Sequence, residues 1–226
     1  MRLVCLADVH GNTLALAKAG GIARETKADA ILICGDIVPH TIYNDFISLL
    51  KDTSLHGKCP IILTPGNHDG WTVKKRFQIH CVSDAENQIE YWKMEKTRYD
   101  IVCLLESAYV LNGVKIWGSP YTSRYLDWHW QRDVKDMKFD IPKNTDVLIT
   151  HEPPFGYGDF TLDGRIGSEA LTQAVKDTPN LKLHVFGHNH NDAGWTGRIN
   201  DTVLANVSCH DENMCFFPRG ISVFEF

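Results

Sequence analysis

Nine short apolar runs rich in β-branched residues recur along the whole of this chain, at 2–7, 30–34, 60–64, 101–105, 114–117, 145–150, 182–187, 202–208 and 220–225. They are near-continuous rather than alternating, which predicts strands buried on both faces. Between several of them lie amphipathic stretches. One begins near Thr13, one spans 43–52, and one follows Ser168, a residue suited to cap a helix carrying Ala170, Leu171, Ala174 and Val175. The first half therefore reads βαβαβ, and the second half, from about 101, has more strand and less helix. No Pro/Ser/Gly-rich linker, repeat or low-complexity tract divides the two. With 226 residues and 43% hydrophobic content, the expectation is one layered α/β domain over 1–226, built on two packed sheets.

Charge narrows the range of partners. A formal net charge of -5 gives no basic field to gather nucleic acid or an anionic membrane, so neither is expected as a partner. No stretch reaches the roughly 18–20 apolar residues of a spanning helix. The opening Met-Arg-Leu-Val-Cys-Leu-Ala-Asp turns polar too early for a signal peptide, which predicts a cytoplasmic protein. Seven cysteines with no Cys-x-x-Cys pair read as reduced thiols, Cys5, Cys34 and Cys103 lying inside strands. The sequons at Asn200 and Asn206 are chance matches in such a context.

Polar residues gather where the apolar runs stop. Asp8-Val9-His10 follows the first, Gly35-Asp36 the second and Gly66-Asn67-His68-Asp69 the third; His151 and Gly187-His188-Asn189-His190 follow two later ones. The carboxyl ends of strands are where open α/β sheets bind ligands. Two aspartates, an asparagine and four histidines are a mixed oxygen and nitrogen donor set, which suits Mn, Fe or Zn better than Mg or Ca. Asp8 and His10, two apart on an extended segment, would project to the same side. Glycines 35, 66 and 187 would let the backbone turn sharply beside a metal. Each piece alone is a common chance pattern, but the ordered set, each member directly after an apolar run, is not.

In order and spacing these residues resemble the five signature motifs of the calcineurin-like metallophosphoesterase superfamily, across residues 8 to 190. The resemblance implies a four-layered αββα sandwich with two mixed β-sheets and a dinuclear centre. In it Asp8, His10, Asp36 and His190 hold one metal, and Asp36, Asn67, His151 and His188 the other, with Asp36 shared. It implies two divalent transition-metal ions, manganese foremost and iron or zinc otherwise, and hydrolysis of a small phosphate ester by a hydroxide held between them. His68 would then be catalytic without binding metal, oriented by Asp69. Thr150-His151-Glu152-Pro153-Pro154, Gly118-Ser119-Pro120 and Asn206-Val207-Ser208 further resemble the UPF0046-type phosphodiesterases. The absence of an Asp-Arg-Gly continuation after Asp36 argues against a Ser/Thr protein phosphatase.

Three rival readings share the fold: a catalytically weak scaffold, a nuclease, and a phosphomonoesterase or dinucleoside polyphosphate hydrolase. A complete ligand set with His68 weighs against the first, and the acidic balance against the second. His40, His56, His80, His129, His184 and His210 match no ligand motif and are expected to be solvated or locally hydrogen-bonded, His40 being the one close enough to the Asp36 loop to touch substrate. Tyr121, Tyr125, Trp128 and Trp130 form an aromatic stretch that either packs internally or walls the substrate site.

Overall fold

The computed structural model describes residues 1–37, 59–69 and 101–226. The expected helix at 43–52 and His40 lie outside these residues. The first sheet contains β1 (Arg2–Leu6), β2 (Ala30–Cys34), β3 (Ile61–Thr64) and β4 (Ile101–Cys103). The second contains β5 (Ser107–Leu111), β6 (Val114–Ser119), β9 (Val147–Thr150), β12 (Leu183–Phe186), β13 (Thr196–Ile199) and β14 (Thr202–Asn206). The last strand, β15 (Ser222–Glu225), returns to the first sheet and pairs antiparallel with β1. Small ribbons, β7 (Thr122–Ser123) with β8 (Gln131–Arg132) and β10 (Phe160–Thr161) with β11 (Gly164–Arg165), complete the strands among the described residues.

Strand order is β15-β1-β2-β3-β4 in one sheet and β13-β14-β12-β9-β6-β5 in the other. The first is parallel from β1 to β4, with β15 antiparallel at one edge; the second is parallel through its middle, with antiparallel pairing at both edges. This mixed pattern explains the continuous apolar runs. Along β1 the side chains alternate between two separate cores: Val4 and Leu6 pack outward with Ile31, Ile33 and Leu63, while Leu3 and Cys5 pack inward. The inward set, with Leu32 and Ile62, meets Ile116, Ile149, Val185 and Ala205 of the second sheet. On that sheet's far side Trp117, Leu148, Phe186 and Leu204 form a third layer.

Helices close both outer faces. Helix α1 (Thr13–Thr26) starts where the sequence predicts, with the Asn12 side chain accepting from the Leu14 and Ala15 amides, a cap worth about 1 kcal/mol. Its small buried residues, Ala15, Ala19 and Ala23, let it lie close on the first sheet. Helix α2 (Glu169–Lys176) is capped by Ser168 as expected and packs Leu171 and Val175 on the third layer. The order helix, sheet, sheet, helix is the expected αββα sandwich. The six cysteines among the described residues are free, three of them fully enclosed in the core.

Two strands of the second sheet escaped the sequence reading, β5 and β13. Both are antiparallel, exposed along part of their length and not continuously apolar. The Asn112-Gly113 pair between β5 and β6, with φ of 49 and 83, is a hairpin signal that the apolar-run criterion passes over.

His184, expected to be solvated or locally hydrogen-bonded, is fully buried on β12 and bonded to a residue distant in sequence. Thr150 Oγ1 donates to the Glu152 carbonyl, so it accepts from His184 Nε2 at 2.8 Å and leaves Nδ1 buried without a partner among the described residues. Burial pushes this imidazole down to about 3 from an ordinary value of 6.5. The unfolded chain therefore binds a proton that the fold excludes, and stability is lost as pH falls from about 6.5 towards 3, at up to about 1.4 kcal/mol per pH unit for one group. His184→Leu should remove that share. Urea midpoints measured at pH 7.5, 6 and 4.5 should fall less steeply in the variant than in the wild type.

Candidate metal centre

The parallel strands of both sheets end at one edge of the sandwich, and their last residues converge there. Asp8 follows β1, Asp36 β2, Asn67 and His68 β3, His151 β9, and His188 and His190 β12. His10, Asp36, Asn67, His68, His188 and His190, joined by Met214, line a cavity of about 450 Å³. Asp8 and His151 are fully buried beneath it.

The backbone turns abruptly at these positions. Asp8, His10, Asp36 and His188 all adopt positive φ, at 55, 45, 52 and 67. Left-handed geometry is uncommon for residues bearing a side chain and costs on the order of 1–3 kcal/mol. Asp8 and His10 therefore converge through a tight turn and not along an extended segment. Two glycines make room for the carboxylates: a β-carbon on Gly66 would collide with the Asp36 carboxylate, and one on Gly187 with that of Asp8.

Asp36 is the hub. Its Oδ1 accepts from the His68 amide at 2.8 Å. Its Oδ2 faces three imidazole nitrogens, His151 Nε2 at 3.3 Å, His68 Nε2 at 3.5 Å and His10 Nε2 at 3.9 Å. Asp8 accepts from the His188 amide at 3.0 and 3.2 Å, which ties the end of β1 to the end of β12, and lies 3.5 Å from His190 Nε2. His151 donates Nδ1–H to the Cys34 carbonyl at 2.8 Å, a bond that fixes its tautomer and turns Nε2 inward.

Electrostatics follow from this crowding. Burial favours neutral groups, yet His151 and His68 hold the Asp36 carboxyl well below its ordinary range. Burial also disfavours the His151 imidazolium, but Asp36 and then Asp8 overcome it and raise that ring to about 10. His10 and His188 go the other way, to about 4 and about 3, because burial outweighs the carboxylates. Ligand atoms crowd together here: His10 Nε2 lies 3.3 Å from His190 Nε2, and His151 Nε2 lies 3.0 Å from Asn67 Oδ1 and 3.3 Å from Asp36 Oδ2. Imidazole, amide and carboxylate groups converging this closely are a set that a divalent cation satisfies by displacing the ring protons, so these residues fit a metal.

Among the described residues, three trios have ligand atoms within 4.8 Å of one another: Asp8, His10 and His190; His10, Asp36 and His68; Asp8, Asp36 and His151. Every metal-ligating residue expected from sequence lies at this one edge. Three positions differ in detail. His68, expected to bind no metal, joins the second trio. His188 joins no trio and instead places its ring 4.9 Å from that of His151. Asp69 accepts from the Gly66 amide at 2.7 Å and the Ile37 amide at 2.9 Å, so it clips together the backbone loops that present Asp36 and His68.

The aromatic stretch divides. Trp128 packs its ring 4.4 Å from that of His68. Tyr121 lies under the Arg132 guanidinium, 3.4 Å from it, and beside Trp130, while Tyr125 is exposed. Sequence reasoning missed His210 and Met214. His210 donates Nδ1–H to the Asp8 carbonyl at 2.6 Å and accepts from Asn12 at 3.2 Å, bracing the strained Asp8 turn. It lies just past the end of β14, so the same strand-end criterion reaches it, although no motif does.

A family model for calcineurin-like phosphoesterases matches residues 1–192. The chain is 26% identical to the UPF0046 protein T07D4.2 of Caenorhabditis elegans over 87% of its own length and 53% of that protein's. It is 25% identical to the human metallophosphoesterase domain-containing protein 1 over 85% of its length and 61% of that protein's. It therefore spans between half and two thirds of these curated relatives. Among solved structures, TT1561 of Thermus thermophilus shares the fold with a TM-score of 0.64 and 14% identity, over 92% of this chain and 88% of that one.

Truncation of Asp69 tests the backbone clip. Asp69→Ala leaves two buried amides without their acceptor, each costing on the order of 1–3 kcal/mol. Chemical denaturation should show the full loss, far above the effect of Asp133→Ala on the exposed surface.

Proposed function

The chain belongs to the calcineurin-like phosphoesterase family, in the branch of the UPF0046 and metallophosphoesterase domain-containing proteins, and from that membership we propose that it is a dinuclear metal-dependent phosphoesterase that prefers phosphodiesters with a nucleotide-like group. The observation that carries this reading is the position of Asp36, whose Oδ2 lies 3.9 Å from His10 Nε2 and 3.3 Å from His151 Nε2, one from each expected ligand set. Asp8, His10, Asp36 and His190 would hold one ion and Asp36, Asn67, His151 and His188 the other. Two divalent ions, manganese foremost and iron or zinc otherwise, supply Lewis acidity and an activated water when bound.

The side chains do the rest. Asp36 and Asp8, clamped by the His68 and His188 amides, keep the two halves of the site in register. His68 lines the cavity and, steadied by Trp128, delivers a proton to the departing oxygen. Charge favours diesters. Among the described residues that line the cavity there is no Lys or Arg to match the second negative charge of a monoester.

Protein reconstituted with Mn should contain two ions per chain by elemental analysis and lose turnover with chelator. It should cleave bis-p-nitrophenyl phosphate and cyclic nucleotides faster than p-nitrophenyl phosphate. Faster monoester cleavage with every metal would overturn the diester preference, and turnover in protein free of metal would overturn the metal reading. His68→Ala should lower kcat by about 10²-fold or more with metal content unchanged, whereas Asp36→Ala should lose both ions.

A further inference from the structure

Among the described residues lining the cavity, Met214 is the one with an apolar side chain. It sits at the tip of a turn after β14, and it is 53% exposed. Its backbone is left-handed, with φ of 59, a conformation that an unbranched apolar residue gains nothing from locally. The turn is nevertheless tightly built. Asp211 Oδ1 accepts from the Asn213 and Cys215 amides at 2.9 Å each, the Met214 amide donates to the Asp211 carbonyl at 2.9 Å, and the Asp211 amide donates to the Cys215 carbonyl at 3.0 Å. The turn begins at Asp211, directly after a residue that is tied to the site. His210, one residue earlier, holds the Asp8 carbonyl.

This fastened, left-handed turn holds a large apolar side chain at the wall of a cavity whose other described lining residues are carboxylate, imidazole and amide groups. The thioether is polarisable and three bonds long, so it conforms to a flat ring edge and interacts well with aromatic systems. The other residues of the cavity face a phosphorus centre with charge, imidazole and amide groups. Met214 is the part of the wall that addresses the remainder of the molecule.

We propose that Met214 is a specificity-determining residue, forming the apolar wall against which the aromatic portion of a phosphate ester, such as a nucleobase or aryl group, lies. This rests on the phosphoesterase reading and deepens it by assigning the selectivity to one side chain. Because the contact lies away from the reacting atoms, it is made equally in the ground and transition states and acts on KM.

The test compares Met214→Gln, similar in length and polar, with Met214→Leu, which restores an apolar surface on the same backbone. Metal-loaded proteins are assayed with bis-p-nitrophenyl phosphate, adenosine 3′,5′-cyclic phosphate and the alkyl diester glycerophosphocholine. Met214→Gln should raise KM for the two ring-bearing esters by about 3–10-fold, with kcat, metal content and KM for the alkyl diester unchanged. Met214→Leu should stay within about twofold of the wild type, because volume-conserving apolar exchange costs little. An equal effect of Met214→Gln on all three esters, or none on any, overturns the assignment while leaving the phosphoesterase reading intact. Metal-loaded wild-type protein that hydrolyses no ester overturns both.

Discussion

Everything in this molecule depends on the dryness of its three apolar layers. Both faces of each sheet are covered, one by a helix and the other by the opposite sheet, so the interior positions of the central strands admit almost no polar side chain. Ionisable residues, His184 on β12 apart, are thereby kept off the buried lengths of the central strands and concentrated where they end. Because the middle strands of both sheets run parallel, those ends share an edge, and the polar cluster there is a direct result of how the core excludes charge.

The same core sustains a locally unfavourable backbone. Four residues of the cluster hold left-handed conformations, and three carboxylates are taken almost wholly out of water. In isolation this combination would relax. It persists because amides compensate the carboxylates: the His68 amide serves Asp36, the His188 amide serves Asp8, and the Gly66 and Ile37 amides serve Asp69. Each of these bonds joins loops that follow different strands or closes a loop on itself, so rigidity at the site comes from charge-assisted contacts between turns.

The legible part of the sequence was the part governed by periodicity and by local chemistry. Continuous apolar runs marked the central strands, Ser168 marked a helix start, and the residues after five of the runs marked the site. What stayed hidden has a common physical cause. The edge strands β5 and β13 are half exposed and carry no strong apolar signal. His184 resembles a surface histidine until its neighbours are known, and its burial is decided by a hydroxyl 34 residues away. His210 and Met214 depend on a turn that doubles back over strands formed far earlier in the chain. Asp69, next to His68 in sequence, serves the backbone of two loops, which adjacency alone does not show.

The return of β15 to the edge of β1 has a consequence for how the chain is made. Residues 222–225 complete a sheet whose first strand is residues 2–6, and the cluster at its end draws on side chains from Asp8 to His190. During vectorial synthesis the amino-terminal sheet emerges with the β1 edge unpaired, and that edge stays open until residues 222–225 have left the ribosome. Its inward apolar face waits almost as long, for the strands of the second sheet. Such long-range closure slows folding and exposes a strand edge that can pair with another chain. Newly made protein is thus most vulnerable to aggregation in the interval when the first sheet is complete except for the strand that seals it.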